Sequence, residues 1–134
     1  MDNSDLSAFK ALFVETARKQ IAEMQTFLRE LSANTNDRNA VNHMYIAAHS
    51  LRGESLAMGY FTNGSLAHLL EKIFQGAKDK SFTLTPAILT EVSTAVQKLS
   101  ESIDSIERED KECALNDERM ALEKLTGIML EQSL

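Results

Sequence analysis

The stretch His49-Ser-Leu-Arg-Gly-Glu-Ser-Leu-Ala-Met-Gly-Tyr60 decides how this chain folds. With the residues just before it, it sets Val41, Met44, Tyr45, Ala48, Leu51, Ser55 and Met58 at three- and four-residue steps. That spacing marks a helix burying one face. On a wheel of about 100° per residue His49 falls just beyond one edge of the stripe. Arg52 lies on the same side of the helix. Gly53, one turn after the histidine, removes a side chain that would otherwise cover the imidazole. A glycine inside a helix costs about 1 kcal/mol relative to alanine, so its place here argues that something approaches His49 closely. A histidine beside an apolar stripe nevertheless reads first as a partly buried residue with a satisfied hydrogen bond. A second cluster shifts that reading.

The second cluster is His68-Leu-Leu-Glu71, inside Ser65-Leu-Ala-His-Leu-Leu-Glu-Lys-Ile-Phe-Gln75. Leu66, Leu69, Leu70, Ile73 and Phe74 form another helical stripe, and His68 and Glu71 share a face. The link between the helices, about Tyr60 to Gly64, is short, so they should fold back as antiparallel neighbours. Their facing edges can then bring Glu71 and His68 to His49. A carboxylate that accepts a proton from one ring nitrogen fixes the tautomer and frees the lone pair of the other. It also stabilises a positively charged ring, which makes the imidazole a better nucleophile.

The pattern His-Ser-Leu-Arg-Gly-x-Ser, then Met-Gly-Tyr, then a histidine at plus nineteen and a glutamate at plus twenty-two, resembles the histidine-containing phosphotransfer (HPt) domain. It is similar in particular to the amino-terminal domains of CheA-type chemotaxis histidine kinases. The resemblance implies that His49 is the phosphorylated nucleophile and that Glu71 orients its ring. It implies that His68 completes a hydrogen-bond network, that Arg52 contacts phosphate or partner, and that Gly53 gives access. Two departures stand out. Arg52 replaces the usual lysine, keeping the charge but offering a planar fork suited to bidentate phosphate contact. Glu54 puts a carboxylate where many members carry a small residue, which could repel phosphate or help choose a partner.

Outward from this centre the chain reads as a single all-α domain over residues 1–134. Five Gly, one Pro, no Trp and no alternating apolar pattern favour helices over strands. The expected architecture is an antiparallel up-and-down four-helix bundle with a fifth, C-terminal helix. The helices should run over about 5–33, 39–58, 64–78, 86–109 and 117–132. In the first, Leu6, Phe9, Leu12, Phe13, Ala17, Ile21, Met24, Leu28 and Leu31 form the stripe, with Ser4 or Asp5 as cap. Gly59 should stop the second, and Thr62, Asn63 or Gly64 should cap the third. Phe82 should anchor the next loop, Thr85-Pro86 reads as cap and first turn of the fourth helix, and Asn116 or Asp117 as cap of the fifth. Met120, Leu122, Leu125, Ile128 and Met129 should face inward. Glu107 to Glu112 reads as a solvated helix end and linker, and His43 as lying on a solvated face.

Several function classes fall away. A formal charge of −6 argues against nucleic-acid or anionic-membrane surfaces. The single cysteine, Cys113, cannot form an internal disulfide and fits a cytoplasmic protein. No apolar run approaches the roughly 20 residues that span a bilayer, and the first residues lack the basic and apolar regions of a secretory signal. His49, His68 and Glu71 could suit a metal, but di-iron bundles use Glu-x-x-His pairs from facing helices, and here the order is reversed and unduplicated. No metal is expected. No glycine-rich phosphate loop is present, so the chain should bind no cofactor, with ATP and Mg²⁺ supplied by partner domains.

The resemblance therefore implies a phosphohistidine carrier in two-component signalling. A kinase catalytic domain would phosphorylate His49, and a response-regulator receiver domain would take the phosphoryl group on an aspartate. Nucleic acid and membrane are not expected partners, and the isolated domain should be monomeric. Met1 and Met-Gly-Tyr60 lean toward the arrangement in which this domain comes first in a longer kinase. The alternative is a helical binding module that is never phosphorylated and inhibits or scaffolds a kinase or receiver.

Overall fold

The computed structural model describes residues 3–130 and, among them, holds five helices and no strand. These are α1 (Asn3–Ala33), α2 (Arg38–Ala57), α3 (Phe61–Lys78), α4 (Pro86–Glu109) and α5 (Asn116–Thr126). Local chemistry sets most boundaries. The Asp37 side chain accepts from the Ala40 amide at 3.0 Å and starts α2. Gly59 takes φ 81° just past the end of α2, a left-handed conformation that glycine adopts without steric cost. Thr85 Oγ1 accepts from Ile88 N at 3.2 Å, and Pro86, which has no amide hydrogen to leave orphaned, opens α4.

The helices pack around one core. On α3, Leu66, Leu69, Leu70, Ile73 and Phe74 are all fully buried. Each contributes about 1.5–3 kcal/mol, which outweighs any local end effect. Between α2 and α3, Leu56 meets Gly64, His49 meets Glu71 and Tyr45 meets Lys78, so the two run in opposite directions. A Cβ at Gly64 would stand 2.6 Å from Leu56 Cδ2, so glycine is what lets the helices cross this closely. Between α1 and α4 the order is reversed in the same way, with Lys10 paired to Asp110 and Arg18 forked onto Asp104 and Glu107. Phe82, half-buried, lays its ring over Gly76 and ties the α3–α4 loop to the core as expected.

Several expectations need correction. α1 starts at Asn3, so Ser4 and Asp5 lie in its first turn rather than capping it; and Leu6, Phe9 and Leu12 are exposed. Phe13 is the first aromatic of α1 to reach the core, its ring 5.1 Å from that of Tyr60, which sits at the end of the α2–α3 link. Before it, Lys10 is partly buried and paired to Asp110, while Leu6, Phe9 and Leu12 keep half or more of their surface exposed.

α3 starts at Phe61, and Thr62, Asn63 and Gly64 lie inside it rather than capping it. The cap comes from the α4–α5 linker. Glu112 accepts from Asn63 N at 2.6 Å and from Thr62 N at 3.4 Å. The acidic linker is thus not wholly solvated. A carboxylate at a helix N-terminus satisfies orphan amides and complements the dipole. Beside it the Cys113 amide donates to Ser102 Oγ at 2.9 Å, and that hydroxyl donates to Asn63 Oδ1 at 2.6 Å, a buried chain joining α3, α4 and the linker.

α5 is shorter than expected. Neither Asn116 nor Asp117 caps it; Leu115 precedes its first residue without a side-chain hydrogen bond. Gly127 (φ 73°) ends it at Thr126, and residues 131 and 132 lie outside the described residues. Leu122 and partly Ile128 face the core, but Met120, Leu125 and Met129 are exposed. The chain after Gly127 folds back, with Leu130 N 3.4 Å from Glu123 Oε2. Finally, His43 does not lie on a solvated face: it stacks on Phe27, rings 4.3 Å apart and 2° from parallel.

Candidate functional site

His49 sits midway along α2 with its side chain 56% exposed, beyond the edge of the buried stripe formed by Val41, Met44, Ala48 and Leu51. The stripe fixes the helix rotation and so fixes which way the imidazole faces. Glu71, on α3, reaches across with its side chain only 10% exposed. Its Oε2 lies 2.5 Å from His49 Nδ1. Arg52, one turn after His49 and 30% exposed, brings Nε to 3.3 Å from Glu71 Oε1. That pair is a charge contact without hydrogen-bond alignment, since Arg52 Nε has no hydrogen-bond partner. One carboxylate is thus shared, an oxygen to each neighbour.

A buried carboxylate is costly unless it is paired and hydrogen-bonded. Arg52 supplies a balancing charge, and His49 a donor. With the carboxylate ionised, Nδ1 carries the shared proton and the lone pair lies on Nε2, which has no partner among the described residues. The ring is oriented from behind and open in front. A Cβ at Gly53, one turn on, would meet nothing within 4 Å, so the space beside it is empty.

The other predicted residues are placed less uniformly. His68 shares α3 with Glu71 but makes no hydrogen bond to His49 or Glu71, so the network expected of it is not formed. It lies instead along a groove between α3 and α5, together with Arg52, Leu56, Phe61 and Arg119. Burial foremost, and then the positive charge of Arg52, hold His68 below the usual histidine range. Both effects favour the neutral form of the ring. Glu54 makes no ion pair or hydrogen bond with His49, Arg52 or Glu71, and its Oε2 is buried without a partner.

Tyr45 is the residue that sequence reasoning left in the core stripe alone. It is half-buried, its ring stands 6.1 Å from that of His49, and Lys78 Nζ lies 5.1 Å from its centroid. The available signal was an aromatic four residues before the histidine, a spacing that makes helix neighbours. Among the described residues no three His, Cys, Asp or Glu side chains converge as a metal site would require. Among the described residues no helix is long and apolar enough to cross a membrane.

Comparison with known proteins points to one family. Chemotaxis protein CheA of Klebsiella aerogenes is 29% identical over 101 residues, covering 75% of this chain and 16% of that protein. CheA of Bacillus subtilis is 26% identical over 102 residues, covering 76% of this chain and 15% of the relative. CheA of Rhizobium meliloti is 31% identical over 67 residues, half of this chain and 9% of that protein. The chain thus spans about a sixth of the first of these relatives. No solved structure matches it. The model of the Hpt domain matches residues 8–102, a span that contains His49, Arg52, Gly53, His68 and Glu71, and the chain belongs to that family.

Proposed function

We propose that this chain is a phosphohistidine carrier of the chemotaxis type, a single domain built as an up-and-down antiparallel four-helix bundle with a fifth helix. The carrying observation is the exposed His49 ring held at Nδ1 by the buried Glu71 carboxylate 2.5 Å away. In the forward step the Nε2 lone pair attacks the γ-phosphorus of ATP bound to a kinase catalytic domain. The nitrogen–phosphorus bond forms as the bond from phosphorus to the ADP oxygen breaks. The ring gains positive charge, which Glu71 offsets through Nδ1–H. In the second step an aspartate of a receiver domain attacks phosphorus, and the electron pair of the nitrogen–phosphorus bond returns to Nε2. The partners supply ATP and Mg²⁺, which neutralises charge on the transferring group. Arg52 stands beside the ring to meet phosphate, Gly53 admits the partner, and the cytoplasm is the compartment where these partners meet.

The test is incubation with a kinase catalytic domain, ATP and Mg²⁺, followed by assay for acid-labile, base-stable phosphate. His49→Gln should take up none while keeping its helical signal; a variant still labelled at the normal rate would show that the carrier residue is wrong. The second reading, a binding module without phosphotransfer, draws its support from the exposed Leu6, Phe9 and Leu12. It predicts partner binding with no labelling of the wild type.

A further inference from the structure

We infer that Tyr45 is a positioning residue for the phosphoacceptor: its ring is the wall against which the His49 imidazole leans, so that Nε2 points one way. This deepens the phosphocarrier reading above and rests on it.

The need for a wall follows from what Glu71 alone can do. The His49 side chain is 56% exposed, and its one hydrogen bond, from Nδ1 to Glu71 Oε2 at 2.5 Å, comes from α3. A single hydrogen bond fixes the place of one atom and leaves the ring free to pivot about it. On an exposed helix face more than one staggered rotamer is open to the side chain, and Nε2, across the ring, moves with every pivot. A nucleophile reacts fast only when its lone pair is already aimed at the incoming atom. That takes a second contact.

Tyr45 supplies it from the same helix. Helical side chains tilt toward the N-terminal end, so each covers the turn before its own. The His49 ring accordingly lies toward Tyr45, four residues earlier, with centroids 6.1 Å apart and planes 23° from parallel. That spacing falls within the range of aromatic pairs. Tyr45 is itself held: it is half-buried against the core, and Lys78 Nζ, at the end of α3, lies 5.1 Å from its centroid. Among the described residues its hydroxyl makes no hydrogen bond to His49, Glu71 or Lys78, so the flat of the ring is what acts. One turn after His49 a Cβ at Gly53 would meet nothing within 4 Å, so no wall stands on that flank. The imidazole is thus hydrogen-bonded from α3 and stacked toward the start of α2. Two contacts from two directions define its plane, where either alone would not.

The test uses the full chain and phosphoramidate, a small phosphoryl donor that needs no protein partner, with loading followed by ³¹P NMR. Its phosphorus–nitrogen bond breaks as the bond to Nε2 forms, and the leaving nitrogen departs as ammonia. An aromatic pair restrains its partner by a factor of about two to ten, so Tyr45→Leu should load about fivefold slower. Three-bond couplings across the His49 Cα–Cβ bond should show averaged rotamers in that variant and one rotamer in the wild type. Ring ¹⁵N shifts should still report a proton on Nδ1, since Glu71 remains. Tyr45→Phe should load within twofold of wild type and keep the single rotamer. Ile46→Ala, which alters an exposed residue just as near in sequence, should also load within twofold. In a Glu71→Ala background Tyr45→Leu should cost less than a further twofold, because a ring released at Nδ1 has little orientation left to lose. Tyr45→Met carries the same expectations if the leucine variant loses its helical signal. Unchanged loading or a single rotamer in Tyr45→Leu, a phenylalanine variant as slow as leucine, an equal loss in Ile46→Ala, or losses that multiply in the double variant would overturn the proposal. A wild type that phosphoramidate cannot load refutes the carrier reading, and the positioning role falls with it; a wild type that loads no faster than Tyr45→Leu refutes the positioning role alone.

Discussion

Replacing Glu71 with alanine removes the one group that holds the His49 ring from behind. The carboxylate lies 2.5 Å from His49 Nδ1, on a side chain 10% exposed, so water replaces it poorly as a partner. A hydrogen bond to a charged group is worth about 1.5–3 kcal/mol. Its full worth is felt when the attacking ring acquires positive charge, so the barrier should rise by most of that amount. At about 1.4 kcal/mol per decade this is a slowing of about ten- to a hundredfold, with the nucleophile still present. Glu71→Gln separates charge from orientation. Its amide oxygen can still accept from Nδ1–H and hold the tautomer, but it brings no negative charge, so it should fall between alanine and wild type. Phosphoramidate loading followed by ³¹P NMR measures the intrinsic step without a partner, and circular dichroism confirms that the bundle is intact. Arg52, at 30% exposure, can turn to water when its counter-charge is gone, which limits the cost to folding. An alanine variant that loads within twofold of wild type would refute the reasoning.

The remaining predictions follow from neighbouring features. Gly53→Ala should raise stability by up to about 1 kcal/mol, because the added methyl meets nothing; it should slow protein-dependent transfer more than phosphoramidate loading, and a lower melting temperature would contradict the open space seen there. Ser102→Ala removes the hydroxyl between the Cys113 amide and Asn63 Oδ1, leaving both without that partner in the interior, and should cost about 1–3 kcal/mol in urea denaturation with an unchanged slope. His68 has a folded pKa below its unfolded value, so the unfolded chain binds its proton first as pH falls. Its contribution to stability is therefore intact above the unfolded pKa, near 6.5, and lost as pH drops through and below it. Wild type should lose more stability between pH 7 and 5.5 than His68→Gln does; equal losses would contradict the assignment.

What could be read from the chain was what is local. α4 runs over the expected 86–109, because Thr85-Pro86 and the apolar period of Ile88, Val92, Val96, Leu99 and Ile103 act within a few residues of each other. The link from His49 to Glu71 was legible because a short connection and two stripes leave few ways to face the helices together. The start of α3 was not, since its cap comes from Glu112, about fifty residues on, and no local pattern announces that. The end of α5 was hidden because the apolar period continues through Ile128 and Met129 past Gly127. The exposed first turns of α1 were missed because periodicity reports which side of a helix is apolar, not where its neighbours stop. His68 shares a side of α3 with Glu71, yet only Glu71 reaches the crossing helix; three residues of offset turn the histidine toward α5 instead.

The Glu112 cap has a consequence for how the molecule opens. The amides of Thr62 and Asn63 are bonded to a side chain of the linker after α4, not to anything their own helix brings. Their hydrogen exchange should therefore track undocking of that linker rather than fraying of α3 alone. A ligand or chain segment that pulled on the linker would loosen the first turn of the very rod that carries Glu71, ten residues before any change reached the imidazole.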